Sequence, residues 1–268
     1  MSPEPNESQL DSASPSGSTA GGPGGSPLAT SQVATVVFAA AVVAWIGVSW
    51  VPAFFNTPEE LLGVNLYSPP ALQQAAAENQ EELYWKNGVV RTTMMGICFG
   101  AVPAVLAFIG GVRRPIVPAV GGLVTGLVAG VAAFFAGAAL RSFLDTGYEL
   151  PLVGDASNAL IGDSLVLGLV GLFLGLPIAV GVALMGLPEG GQKAASAPLA
   201  GLLTGFLVPM IASFAMPNQN SSEFPPSSPA FAAMMLGIFA ILVVLLKVST
   251  GDRKRSAAAA SGEAAATE

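Results

Sequence analysis

Histidine is absent from the 268 residues, and cysteine occurs once, as Cys98. Without imidazole there can be no Ser-His-Asp triad, no histidine-held haem and none of the common zinc sites. One thiol closes no internal disulfide, so the redox compartment cannot be read from it. Cys98 lies in an apolar run and reads as a small packing side chain. Charge is also scarce. Asp, Glu, Lys and Arg make up 10% of the chain, against roughly a quarter in soluble domains. So few charges could not keep a folded surface wetted. The 10 basic residues are outnumbered by 17 acidic ones and form no strongly basic patch, which argues against nucleic acid as a partner. The acids are scattered and read as solvated loop charge. No cofactor or metal motif is present, and no cofactor is expected.

What fills the chain instead is apolar: 52% hydrophobic residues, with a mean hydropathy of +0.65. Crossing a hydrocarbon core of about 30 Å takes about 20 apolar residues in a helix. Six stretches meet that length, at 33–55, 92–111, 116–140, 159–187, 197–216 and 230–248. None shows the polar stripe of an amphipathic core helix. The expectation is an all-α integral membrane protein with six transmembrane helices in residues 32–249. It is flanked by a Ser/Pro/Gly-rich tail over 1–31 and a second tail over 250–268, both expected to be disordered. The first tail contains no Lys or Arg, so the first apolar run does not read as a cleaved signal peptide.

Basic residues accumulate in short cytoplasmic loops. Arg113 and Arg114 between the second and third spans, Lys193 between the fourth and fifth, and Lys247, Arg253, Lys254 and Arg255 after the sixth all fall on one side. The other side receives Lys86, Arg91 and Arg141 with most of the loop acids, among them Glu59, Glu60, Glu78, Glu81, Glu82, Asp145, Glu149, Asp155 and Glu223. Both termini are therefore expected in the cytoplasm, in a cell (inner or plasma) membrane. Arg253-Lys254-Arg255 reads as an anchor at the inner leaflet. Asn220-Ser221-Ser222 matches a glycosylation acceptor, a motif too common by chance to carry a claim.

The outer segment 56–91 is the longest connection. Ser68 as N-cap, Pro69 and Pro70 in the first turn and Asn87-Gly88 as C-cap frame a short helix over ALQQAAAENQEELYWK. Glu82 and Lys86 are spaced i,i+4. Tyr84 and Trp85 suit the headgroup zone. This helix is expected to lie on the outer membrane surface.

Glycines recur four apart in four consecutive spans: Gly96 and Gly100; Gly122, Gly126 and Gly130; Gly171 and Gly175; Gly201 and Gly205. Small residues in this pattern let helix backbones approach closely, which is what drives association in lipid. The second to fifth helices are thus expected to form the packed centre, with the first and sixth at the periphery. Laying GLVTGLVAGVAAFFA from Gly122 on GLLTGFLVPMIASFA from Gly201 matches Thr125 with Thr204, and Gly100–Pro103 loosely matches Gly175–Pro177. Residues 92–140 and 159–216 therefore read as two tandem helical hairpins, a layout used by transporter repeats.

Candidates for chemistry are few. Asp163 is the one acid inside an expected span, and ionisable groups in a bilayer are costly. It is read either as an interfacial carboxylate at a helix N-terminus, where Asn158 could cap, or as an ion or proton site. Thr125 and Thr204 could offer oxygen ligands, although such hydroxyls usually bond their own helix. Pro103, Pro177 and Pro209 free backbone carbonyls or simply kink the bundle. On balance the expectation is a structural or interaction subunit of the membrane, not an enzyme. Its partners would be the lipid bilayer and a second copy or another membrane protein. The rival is a small transporter or channel with a site among Asp163, Thr125 and Thr204.

Overall fold

The computed structural model describes residues 30–50, 55–145, 155–186, 190–215 and 228–246. The expected tails, Asn220-Ser221-Ser222, Glu223, Lys247, Arg253-Lys254-Arg255, and the side chains of Asn158 and Lys193 lie outside the described residues. Six helices are long and apolar enough to cross a membrane. They are α1 Thr30–Trp50, α2 Pro70–Ile109, α3 Ile116–Asp145, α4 Asp155–Leu184, α5 Gly190–Ala215 and α6 Pro229–Leu246. There is no strand among the described residues. The chain is an all-α, multi-pass membrane protein. A helix satisfies every backbone N–H and C=O within one segment, which hydrocarbon demands and only a closed barrel can match.

The helices are arranged by their small residues. A Cβ built on Gly96 would lie 2.1 Å from the Gly126 carbonyl oxygen, and one on Gly100 would lie 2.4 Å from that of Gly122. Gly130 abuts the Thr92–Thr93 backbone one turn further on. The same ladder joins α4 to α5. Gly171 meets Gly201, Gly175 meets Ala197 and Pro198, and Gly205 meets Leu167 and Gly168, with the Gly201 position only 1.8 Å from a carbonyl oxygen. All nine of the glycines singled out in the sequence therefore lie at a helix crossing, with neighbouring backbone where a side chain would begin. α3 packs on α4, and α2 also touches α4, so the two hairpins lie side by side.

A shift of 75 residues superimposes the two ladders, carrying the pairs 96:126, 100:122 and 92:130 onto 171:201, 175:197 and 167:205. The same shift carries Gly111 onto Gly186, which end α2 and α4 in the left-handed conformation at φ 62° and 64°. The sequence match through GLxTG implies a shift of 79, one helical turn out of register with this packing. In packing terms Gly201 corresponds to Gly126, not Gly122. Thr125 and Thr204 are thus about 6 Å apart in depth rather than equivalent. The sequence match fails here because Gly, Leu and Ala recur each turn, so a one-turn slip costs the alignment nothing.

The expected surface helix is overturned. α2 runs unbroken for 40 residues from Pro70 to Ile109, about 60 Å at 1.5 Å per residue. Gly88 is not a left-handed cap. It sits inside the helix beneath the Phe134 ring, which a Cβ would approach to 2.1 Å. Asn87 is half-buried, its Nδ2 donating to the Phe55 carbonyl at 3.4 Å. Asn-Gly can end a helix, but here the glycine is needed for a close ring contact, and the apolar run beyond it continues the helix. Ser68 is not the N-cap either. Pro69 holds that position without a side-chain bond, with Pro70 at the start of the helix. Ser68 Oγ instead accepts from the Asn65 N–H at 3.0 Å, and Gln73 Nε2 ties the loop back by donating to the Ser68 and Leu66 carbonyls at 2.7 and 3.0 Å.

α1 packs on α2 along one stripe, Val33, Val37, Ala41, Ala44 and Val48, and leaves Val42, Val43, Ile46 and Trp50 exposed. α6 is more deeply engaged than its bulky sequence suggests. Phe231, Ala232, Met235, Leu236, Phe239, Ala240 and Val243 are buried, and Phe239 meets Phe99 of α2 with ring centroids 4.6 Å apart. Trp45 Nε1 donates to the Pro229 carbonyl at 2.9 Å and ties α1 to the start of α6.

Candidate functional site

Depth can be read from helix length. Arg113 and Arg114 follow α2 directly, marking one end of the bundle. Leu184 of α4 lies against Gly121 of α3, placing the end of α4 at that same end. Trp85 lies 24 residues before Ile109, Arg141 lies 25 after Ile116 and Asp163 lies 21 before Leu184. At 1.5 Å per residue these are distances of about 36, 38 and 32 Å. Hydrocarbon accounts for about 30 Å and the headgroups extend the bilayer to about 40–45 Å. Measured from the Arg113–Arg114 end, all three residues therefore lie just beyond the length of a hydrocarbon core, within reach of the opposite headgroups.

At that level Asp163 of α4 forms an ion pair with Arg141 of α3, through Oδ1 and Nη1. The carboxylate is 5% exposed and the arginine 33%. A carboxylate this buried needs a charged partner, since isolating it from water would cost several kcal/mol. Beside Arg141 a recess of about 590 Å³ opens outward. Tyr84 and Trp85 of α2 form one wall, and Phe135, Ala138, Ala139, Arg141 and Ser142 of α3 the other. Aromatic rings crowd this crossing, with Gly88 beneath them. Trp85 meets Phe134 at 5.2 Å and Phe135 at 5.8 Å, and Tyr84 meets Phe134 at 5.8 Å. Tyr84 and Trp85 stay beside α3 because α2 continues unbroken through Gly88.

Asp163, Thr125 and Thr204 are not brought together. Arg141, the partner of Asp163, is 16 residues along α3 from Thr125, about 24 Å. Thr204 is buried on α5, a helix with no extensive contact to α3, and its Oγ1 donates to the Ala200 carbonyl at 2.7 Å. Ser164 donates to the Leu160 carbonyl at 2.8 Å, and Thr92 to that of Gly88 at 3.0 Å. Among the described residues no group of three or more His, Cys, Asp or Glu side chains is placed to hold a metal ion.

Two arginines assigned to loops belong to helices instead. Arg91 is 5% exposed within α2, on the face that also carries Met95 and Phe99. Arg141 is the counter-charge of Asp163. A signal for Arg141 was available: it and Asp163 flank the same short connection with opposite charge, and antiparallel helices place such flanks side by side. Arg91 gave no comparable signal.

No family model matches the chain, and neither a curated protein nor a solved structure shows a significant match.

Proposed function

We propose that the protein serves as a structural or interaction subunit of its membrane, a backbone-packed bundle that carries the outer part of α2 as a rigid arm. The observation that carries this reading is the continuity of α2. The same helix is clamped by glycine against α3 and continues about 23 Å beyond Trp85 to Pro70. Its outer part and the turn before it display Glu59, Glu60, Glu78, Glu81 and Glu82, while Leu66 and Tyr67 near its tip are 90% and 98% exposed. A rigid acidic element with apolar residues near its end suits a basic partner protein, because complementary charge steers encounter while apolar contact supplies affinity. The distribution of Lys and Arg favours a cytoplasmic location for both termini and, with it, an outer location for the arm.

The competing reading, a small transporter or channel, draws on buried Arg91 and on the Asp163–Arg141 pair, since ionisable groups in membrane helices often line solute paths. Gentle detergent extraction followed by identification of co-purifying proteins separates the two. The subunit reading expects a companion that stays with the full-length protein and is lost when Glu78, Glu81 and Glu82 become lysine. It also expects proteoliposomes to show no solute or ion flux that responds to Asp163→Asn or Thr125→Ala. A monomer without companions, together with a flux abolished by Asp163→Asn, would replace it with the transport reading.

A further inference from the structure

We propose that the recess between α2 and α3 binds the zwitterionic headgroup of a phospholipid from the leaflet opposite Arg113–Arg114. The ammonium lies against the aromatic rings, and the phosphate sits at Arg141 and Ser142. Three observations on different residues converge on this. The recess stands about 36 Å along α2 from Ile109, the depth of lipid phosphates and amines rather than of acyl chains. Its α2 wall is Tyr84 and Trp85, 37% and 40% exposed, and it faces Phe135, 52% exposed. Tyr84, Trp85 and Phe135, with neighbouring ring centroids 5.8–6.0 Å apart, form an exposed aromatic surface of the kind that attracts substituted ammonium groups. The opposite rim is Arg141, held by Asp163 yet one-third exposed, with Ser142 beside it. A guanidinium in that position donates to phosphate in a planar fork.

The surrounding charge selects among headgroups. Glu78 and Glu81 lie on the α2 arm just above the recess, while the Glu82–Lys86 and Arg141–Asp163 pairs are each neutral as units. A net-negative headgroup would meet repulsion there, whereas a phosphate carrying its own ammonium would not. The alanines Ala138 and Ala139 leave an apolar floor along which the glycerol and first acyl carbons can run down toward the hydrocarbon.

The test is lipid titration of the full-length, detergent-purified protein followed by native mass spectrometry, using phosphatidylcholine, phosphatidylethanolamine, phosphatidylglycerol and soluble glycerophosphocholine. The two zwitterionic lipids are expected to bind about 10-fold more tightly than phosphatidylglycerol. Soluble glycerophosphocholine, which lacks the acyl chains, is expected to bind far more weakly than either. Trp85→Ala is expected to weaken the zwitterionic lipids about fivefold and Trp85→Phe to restore most of that loss. Phe135→Ala gives an independent reading should Trp85→Ala fail to fold. Arg141→Lys, which keeps the charge beside Asp163 but removes the fork, is expected to weaken binding about threefold. Equal or tighter phosphatidylglycerol binding would overturn the proposal, as would binding indifferent to both ring substitutions. Glycerophosphocholine binding as tight as the lipids would overturn the assignment to a membrane lipid.

Discussion

Along their length, α2 and α3 meet in two different ways. Over Thr92–Gly100 and Gly122–Gly130 they touch backbone to backbone, with no side chain between them at the glycine positions. Over Tyr84–Gly88 and Phe134–Ser142 they meet through four aromatic rings, and a recess opens. The first stretch lies at hydrocarbon depth, where lipid tails compete equally for apolar surface and only close van der Waals contact favours association. The second runs outward across the hydrocarbon edge, where the polar edges of Tyr84 and Trp85 are at home. The same helix pair is thus closed where it must hold and open where it can bind. The α4–α5 pair repeats the closed mode without an aromatic counterpart among the described residues, so the open mode belongs to the first hairpin.

This contrast predicts a graded response to substitution. The largest loss is expected for Gly201→Leu and Gly96→Leu, where a side chain would begin at 1.8–2.1 Å from backbone oxygen that cannot yield. The loss should reach about 3 kcal/mol or more, read as failure to recover folded protein by size-exclusion chromatography. Next comes the ion pair. Arg141→Gln removes the positive charge beside a carboxylate that is 5% exposed, while Asp163→Asn acts on an arginine that is 33% exposed and reaches water. The first should cost about 3 kcal/mol and the second about 1, compared by thermal melts in one detergent.

Gly88→Ala is expected to cost about 1–2 kcal/mol, because the added carbon meets the buried Phe134 ring, a side chain that yields more readily than backbone but is itself packed by Tyr84, Trp85 and Phe135. Gly237→Ala in α6, with no atom within 4 Å of the added carbon, should be neutral or slightly stabilising in the same melts. The smallest effect is expected for Lys86→Ala. Its pair with Glu82 is about half exposed on both sides, so about 0.3–0.5 kcal/mol is at stake and added salt should erase it.

The spans were legible in the sequence because hydrocarbon imposes one rule, about 20 apolar residues per crossing, and the chain obeys it six times. The glycine positions were legible for a similar reason: a four-residue repeat of the smallest side chain has few other uses in lipid. Register was not legible. Thr125 and Thr204 were matched through GLxTG, but backbone contact pairs Gly126 with Gly96 and Gly201 with Gly171. The end of the outer helix was misread at Asn87-Gly88 because the contact that decides it comes from Phe134, 46 residues away. The aromatic recess was out of reach for the same reason. Tyr84 and Trp85 were recognisable as headgroup-level rings, but their facing wall lies on another helix.

Since both the arm and the recess depend on α2 running straight through Gly88, an interspin distance along that helix is the most direct test. Cysteines at Gln74 and Val105, in a Cys98→Ala background, would carry the spin labels in the reconstituted full-length protein. An unbroken helix over these 31 residues predicts a single distance near 46 Å. A helix that breaks at Asn87-Gly88 and turns onto the membrane surface would give about 33 Å, and that result would contradict the account.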